Sequence, residues 1–232
     1  MSSFLTLCQE FASEVGIPGG VPATVVSQTG ELAEVVRMVR NADQDIKRRW
    51  FDWKFLWATA TDTTALNLNT LTTLQKPADI GTYNLDSFWL DKSTASAVHL
   101  VHVDYEYYRD TLKIGTQTSS KPYLFTTAPN KNILLWPQSD SASYSLTYEY
   151  WIAAAAMTAD VDVSAIPTDF HRIIIARAKI FWGDREDAPE VVAGAGAEFD
   201  DLMDKLEARE GPEQSGRRLF NGYQGEARVY AG

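Results

Sequence analysis

The chain has 232 residues, of which 45% are hydrophobic and 22% charged, so it has enough apolar side chains for a sizeable core and its body is not expected to be disordered. Its formal net charge of -10 argues against a protein that grips DNA by its phosphates, because such proteins are basic overall. Its single cysteine, Cys8, excludes an intramolecular disulfide and is expected to be a buried structural thiol.

The first residues show no basic stretch followed by a long apolar run, so no secretory signal is expected. The longest apolar run, which begins at Tyr150 and ends at Met157, is too short to cross a bilayer. We therefore expect a protein that is made in a reducing cytoplasm and has no membrane association.

Two amphipathic helices are predicted near the start of the chain, over residues 3–15 and 30–49. In the second, apolar residues follow the three- and four-residue spacing of one helix face. Thr29 precedes this helix and is predicted to cap it, its hydroxyl accepting a bond from a free backbone N–H of the first turn. The basic residues 47–49 lie where the helix dipole favours positive charge, and we interpret them as a solvated helix end rather than a DNA contact.

From about Trp53 to Ala153 the apolar residues change to a period of two, which is typical of strands. Several short strands separated by turn residues indicate a small antiparallel sandwich or barrel. A hairpin is predicted where Pro129, Asn130 and Lys131 join two apolar runs. The strand candidates are residues 55–61, 67–74, 87–90, 98–103, 123–128, 132–136 and 144–151, and residues 105–112 are a candidate short helix.

Helical spacing returns after Ile166, and a last helix is predicted to open at Pro189, where proline is tolerated in the first turn. The outer face of this last helix is rich in Glu and Asp, and Gly211 with Pro212 ends it. The remaining residues, 212–232, have scattered Gly, Arg and aromatic residues without helical spacing. This segment is either disordered or an arm that becomes ordered on a partner.

We find no constellation of residues that is typical of an enzyme. The sequence lacks the motifs of serine hydrolases, phosphate-binding loops and zinc proteases. A carboxylate pair for sugar hydrolysis among Asp86, Asp91 and Asp104 has little support, because the three residues are only scattered. The three histidines, which show no metal-ligand spacing, are His99, His102 and His171. We therefore expect no catalytic residue, no metal and no cofactor.

The order of the motifs along the chain resembles one family, the head-to-tail adaptor (connector or neck ring) proteins of tailed bacteriophages. The resemblance extends over about residues 4–212, although in the second helix the chain has Met38 and Gln44 where the family often has tryptophans. The residues that carry it in the first half are Gln28, Thr29, Gly30, Glu31, Leu32, Ile46, Asp52, Trp53 and Phe55. In the second half they are Trp136-Pro137, the tyrosines of residues 144–150, Ile166-Pro167 with Phe170, and residues 187–190.

The resemblance implies an α+β fold: a helical bundle made of the N- and C-terminal helices, with an inserted antiparallel β domain and an extended C-terminal arm. The corresponding segments are N-terminal helices at 1–52, a β domain at 53–160, C-terminal helices at 161–211 and an extended C-terminal arm at 212–232.

The resemblance also implies a structural, non-enzymatic virion protein at the neck, between head and tail. It would form a ring, expected to be dodecameric, that docks on the portal protein and continues the DNA channel. The same ring would be the attachment platform for tail or nozzle proteins. Double-stranded DNA would pass through the lumen without sequence-specific binding.

Two groups of residues are predicted to serve this function. The aromatic and apolar residues of the arm would bind the portal or a neighbouring subunit, because aromatic residues dominate interface hot spots. These anchors are Leu219, Phe220, Tyr223 and Tyr230, and the residues predicted to line the channel are Glu198, Asp201 and Asp204. The alternatives are an aromatic-faced β module that binds carbohydrate, suggested by the seven tryptophans, or another component of the virion or tail.

Overall fold

A computed structural model describes residues 2–63, 73–115, 118–140 and 144–211. The described residues divide into two compact units: residues 2–55 with 156–211, called the helical unit below, and the described residues of 56–155, called the β unit. The predicted α+β class is confirmed, because long helices build the first unit and mostly antiparallel sheets build the second. The predicted arm at 212–232 lies outside the described residues.

The helices are α1 (Phe4–Val15), α2 (Gly30–Arg49), α3 (Tyr105–Tyr107, continued by a π-helical turn at Tyr108–Leu112), α4 (Arg172–Arg185) and α5 (Pro189–Glu210). Short 3-10 turns lie at Lys54–Leu56 and Thr168–Phe170. The strands are β1 (Trp57–Thr63), β2 (Thr73–Leu74), β3 (Ile80–Tyr83), β4 (Trp89–Leu90), β5 (Val98–His99), β6 (Val101–His102), β7 (Leu124–Thr127), β8 (Ile133–Trp136) and β9 (Ser145–Ile152).

Helix α1 has defined signals at both ends. The Ser3 hydroxyl accepts a hydrogen bond from the backbone N–H of Thr6 at 3.2 Å, which satisfies one of the free donors of the first turn. Gly16 ends the helix in the left-handed conformation, with φ +67°, which glycine adopts without a steric penalty. Cys8 is fully buried on the inner face of this helix, as the sequence predicts.

Helix α2 has the predicted bounds, but two details differ. Thr29 occupies the cap position without a side-chain hydrogen bond, so the predicted hydroxyl cap is wrong. Lys47 is only 4% exposed and its ammonium binds Asp43 at 2.6 Å, so the predicted solvated helix end is wrong for this residue. Asp43 is fully buried and also accepts a hydrogen bond from the Ser164 hydroxyl, which pairs α2 with a segment far away in sequence.

The Asp-Trp motif directly after α2 closes the end of this helix. Trp53 is fully buried, and its indole N–H donates to the backbone carbonyl of Ile46 at 3.3 Å. Its ring stacks on Phe55 with ring centroids 5.2 Å apart. These three residues belong to the motif that carries the resemblance, and they fix the point at which the chain leaves the helical unit.

Helices α4 and α5 pack closely against each other through a tight turn. A Cβ atom at Gly183 would lie 2.8 Å from a methyl group of Val192, so the close approach depends on glycine. Pro189 occupies the first turn of α5, as predicted. Helix α4 also packs on α1 and α2 and is the central helix of the unit, which explains its buried isoleucines at positions 173–175.

The β unit contains two sheets. The first has the order β1-β9-β4-β5, with β3 also pairing β9, and the second has the order β2-β8-β7-β6. Among the strands that the structure describes, all pairs are antiparallel except β6–β7, which is parallel. The predicted hairpin is confirmed: β7 and β8 pair antiparallel, and Lys131 adopts φ +66° in the turn between them.

An aromatic stack forms the centre of the β unit. Phe88 lies between Phe125 and Tyr148, with ring centroids 3.9 Å and 5.1 Å from theirs. Tyr148 and Tyr150 lie on the buried face of β9, as the alternating pattern predicts, and the Tyr148 hydroxyl donates to Asp62. Burial, with the neighbouring Asp62 carboxylate, raises the pKa of Tyr148, so this hydroxyl stays protonated.

The aromatic stack yields a stability prediction. We expect Phe88→Ala to lower the free energy of unfolding of the β unit by about 3–5 kcal/mol, because the substitution leaves a cavity between two rings. Tyr107→Ala is the matched control, since Tyr107 is 51% exposed in the same unit. Urea unfolding followed by near-ultraviolet circular dichroism measures both, and equal small losses would contradict the prediction.

Candidate interaction surfaces

The outer face of α5 presents exposed carboxylates. Asp201 and Asp204 are both exposed there, whereas Phe199 and Met203 of the same helix are buried. Asp201 pairs with Lys205 at 2.6 Å, but both side chains are more than 60% exposed, so this ion pair contributes little stability. Two of the three residues predicted to line a channel therefore share an accessible acidic face.

Glu198, the third of these residues, lies in a different environment. Its carboxylate accepts a hydrogen bond from the Arg172 guanidinium at 2.7 Å, and it is only partly exposed. Arg172 also binds Glu14 of α1, which Lys179 contacts as well. Burial acts to raise the pKa of Glu14, but the hydrogen bonds from Arg172 and Lys179 outweigh it and lower that pKa. Glu198 thus belongs to a network that joins helices.

A cavity of about 290 Å³, called the arginine pocket below, lies between α2, α4 and α5. Its floor is apolar and formed by Ile46, Phe199 and Met203, while its rim carries Asp45, Arg48, Arg49 and Arg177. Sequence reasoning missed this pocket. The available signal was Arg177, a charged residue within the apolar stripe of its helix.

Two arginines of the rim are held by neighbouring groups. The Arg177 guanidinium binds Asp45 at 2.7 Å and lies over the rings of Phe181 and Phe199, 4.6 Å and 5.4 Å from their centroids. Arg49 binds Glu207 at 2.7 Å, one turn after Met203 on α5. Arg177 thus shows that a guanidinium of the rim packs against aromatic rings at this site.

The β unit has a groove of its own, of about 400 Å³, called the β groove below. The ring of Tyr123, which is 47% exposed, meets Trp136 edge-on with centroids 5.4 Å apart. The indole N–H of Trp136 donates to the carbonyl of Leu112 at 3.2 Å, which fixes the ring orientation. The groove is lined by Thr111, Leu112, Ile114, Thr118, Ser120, Tyr123, Trp136 and Pro137.

The histidines are in separate environments. His99 on β5 lies against Trp89, with ring centroids 4.7 Å apart, and its Nε2 is 2.9 Å from the carbonyl of Asp86. His102 lies on β6, in the other sheet, against Phe125. Among the described residues, no group of three or more His, Cys, Asp or Glu side chains could hold a metal ion.

His171 is buried in the helical unit. Its Nε2–H donates to the carbonyl of Ile166 at 3.0 Å, while its Nδ1 has no hydrogen-bond partner among the described residues. Burial lowers the pKa of His171, although the Ile166 carbonyl and the Asp43 carboxylate act in the opposite direction. The neutral imidazole is the form that fits this site.

Asp91 is bound by Lys121 at 2.9 Å and by the backbone N–H of Ser145 at 3.1 Å, so its carboxylate has a structural role.

No helix in the described part of the chain is long and apolar enough to span a membrane. The predicted arm anchors Leu219, Phe220, Tyr223 and Tyr230 lie outside the described residues.

Almost the whole chain matches one known family. The family described as SU10 adaptor protein matches residues 2–222, which include the whole β unit and the described residues of the helical unit. The chain belongs to the SU10 adaptor protein family. This confirms the resemblance to phage head-to-tail adaptors, and membership of a structural adaptor family implies a protein that is not an enzyme. No curated protein matches the chain.

The buried imidazole of this adaptor predicts a pH dependence of stability. The folded pKa of His171 lies below its ordinary value of 6.5, so below pH 6.5 the unfolded chain binds a proton that the folded chain does not. We therefore expect the free energy of unfolding to be highest above pH 6.5 and to fall as the pH decreases toward the folded pKa.

Urea unfolding between pH 7.5 and pH 5 measures this dependence. His171→Gln is the matched variant, because an amide keeps a donor near Ile166 but does not titrate. The slope should be smaller in this variant than in the unchanged chain. The same slope in both proteins would show that other groups cause it. The carboxylates whose pKa is lowered, such as Asp162, are the same in both proteins, so their contribution to the slope cancels in the comparison.

Proposed function

We propose that this adaptor is a structural subunit of the ring that joins head and tail at the neck of a tailed phage. In this role it docks on the portal protein, continues the DNA channel and is the platform to which tail or nozzle proteins attach. The observation that supports the proposal is the family match over residues 2–222. The chain would be made in the cytoplasm of the bacterial host and act in the virion.

The charge of the protein suits a channel through which DNA slides. A net charge of -10 opposes tight phosphate binding, and a negative lumen repels the DNA backbone instead of holding it. We propose that Asp201 and Asp204, on the exposed face of α5, line this lumen. Glu198, the third predicted lining residue, would contribute less negative charge to the lumen, because Arg172 binds its carboxylate.

The ring itself requires one patch of the subunit to bind a different patch of the next copy, and a closed ring results when the rotation closes. We propose a dodecamer that forms on the portal. The arm at 212–232 would bind the portal or a neighbouring subunit. The proposed anchors are Leu219, Phe220, Tyr223 and Tyr230, whose rings and apolar surface suit interface hot spots.

The β groove favours a second candidate function, the binding of carbohydrate. An exposed tyrosine next to a fixed tryptophan, with three hydroxyl-bearing residues around them, combines a stacking surface with hydrogen-bonding groups. Most tryptophans are not available for this purpose, since Trp53 is buried in the helical unit and only Trp57 is about half exposed. A carbohydrate-binding module would also leave the whole helical unit without a role, which argues against this candidate.

Native mass spectrometry with negative-stain imaging tests the ring. We expect the chain alone to be monomeric and to form a ring of about twelve copies when it is mixed with the portal protein of the same virus. A variant that ends at Gly211 should lose binding to the portal if the arm docks there. A chain that stays monomeric with the portal would contradict the proposal, and a tryptophan fluorescence titration with glycans would then test the second candidate.

Charge reversal on α5 tests the channel assignment. We expect Asp201→Lys with Asp204→Lys to slow the release of DNA from assembled particles, most strongly at low salt, because lysines in the lumen would bind phosphates. Asp184→Lys with Glu190→Lys is the matched control, since both residues are exposed near the opposite end of α5. Equal release from both double variants at low and high salt would remove the support for this assignment.

A further inference from the structure

The arginine pocket has the chemistry of a site for an aromatic or large apolar side chain. Its buried floor offers the thioether of Met203 and the ring of Phe199, and both make favourable contacts with aromatic rings. Its volume of about 290 Å³ lies just below the range for small-ligand pockets, about 300–1,000 Å³. One or two side chains suit this space better than a cofactor.

The rim adds positive charge that is only partly neutralised. Arg49 and Arg177 each bind one carboxylate, whereas Arg48 is exposed and makes no ion pair with any residue that the structure describes. Arginine guanidinium groups stack on aromatic faces. The Arg177 guanidinium already lies over two phenylalanine rings at this site.

The C-terminal segment begins close to this pocket. Helix α5 ends at Glu210, and Gly211 has φ -64° and ψ 162°, so the chain becomes extended there. Met203, on the pocket floor, lies eight residues earlier, which is about 12 Å back along the helix axis. Leu219 lies eight residues after Gly211, and an extended segment of that length spans up to about 26–29 Å. The first apolar pair of the segment, Leu219 and Phe220, can therefore reach the pocket of its own chain.

We propose that, in the free subunit, Leu219 and Phe220 dock into the arginine pocket of the same chain. Phe220 supplies an aromatic ring that suits the rim arginines and the apolar floor, and Leu219 supplies a second apolar side chain. Arg217 and Arg218 immediately precede the pair and add positive charge next to the rim, so the apolar contacts must outweigh this repulsion.

This docking holds the arm back in the unassembled protein. Because the segment is tethered next to the pocket, its effective concentration there is in the millimolar range, so even a weak contact is occupied for much of the time. Binding of the arm to another protein must first release it, which reduces the apparent affinity by the fraction of undocked chains. The inference concerns the isolated chain and does not depend on the proposed binding to the portal.

Disulfide formation between introduced cysteines tests the docking in the full chain. The test pair is Arg48→Cys with Asn221→Cys, which places one thiol on the rim and one beside the intact Phe220. The control pair is Asp201→Cys with Asn221→Cys, whose first thiol lies on the exposed face of α5, two residues before Met203. The native Cys8 does not interfere, because it is fully buried and burial raises the pKa of its thiol to about 12.

We expect the test pair to form an intramolecular disulfide at least about tenfold faster than the control pair at micromolar protein concentration. Adding Phe220→Ala should bring the test pair down to the rate of the control, since it removes the proposed anchor. Equal rates in the two pairs would overturn the proposal. Disulfide-linked dimers in place of an intramolecular bond would also overturn it, because the segment would then occupy the pocket of a second copy.

Discussion

The helical unit depends on one buried ionic network that joins its two separate stretches of chain. Asp43 of α2 is fully buried and is held by the Lys47 ammonium and the Ser164 hydroxyl. The same hydroxyl accepts a hydrogen bond from the backbone N–H of Ile166, where the chain turns toward α4. Loss of one partner of a buried charge costs about 3–5 kcal/mol, because the other charge is left uncompensated. The network thus specifies where the segment that follows the β unit, which contains Ser164 and Ile166, must lie against α2.

Other polar contacts repeat this connection at the start of the chain. The carboxylate of Asp160 accepts hydrogen bonds from the Thr24 hydroxyl and from the backbone N–H of Val25. The backbone N–H of Phe4 donates a hydrogen bond to the backbone carbonyl of Asp162. These contacts join the first residues and the loop before α2 to the segment that follows the β unit. The apolar faces of α1, α2 and α4 can then pack on one another, because their registers are already set.

The elements with strong local signals were the ones that could be predicted from sequence. The period of α2, the proline at the start of α5 and the turn residues of the β7–β8 hairpin are all local, and each was correctly placed. Strands β4, β5 and β6 have only two residues each, so their pairing depends on neighbours that a local pattern does not reveal. The parallel pairing of β6 with β7 likewise depends on neighbouring strands, so it could not be predicted from the local sequence.

The candidate surfaces divide in the same way. The exposed acidic face of α5 followed from helical spacing, whereas the binding of Glu198 to Arg172 depends on a partner 26 residues away. The arginine pocket combines residues of three helices. Lys47 is buried, and it binds Asp43, which Ser164 of the segment after the β unit also contacts. The pocket and the burial of Lys47 both depend on contacts between distant segments, about which hydrophobic periodicity carries no information.

The order of the two units along the chain also has a consequence during synthesis. Helices α1 and α2 emerge from the ribosome first, but α4, on which both pack, is complete only about 136 residues after the end of α2. At about 5–20 residues per second, the apolar face of α2 lacks this partner for about 7–27 s. The β unit is contiguous in sequence and can fold during this interval. An intermediate with a folded β unit and N-terminal helices that still lack α4 is therefore the form that a nascent chain presents to the chaperones of the cell.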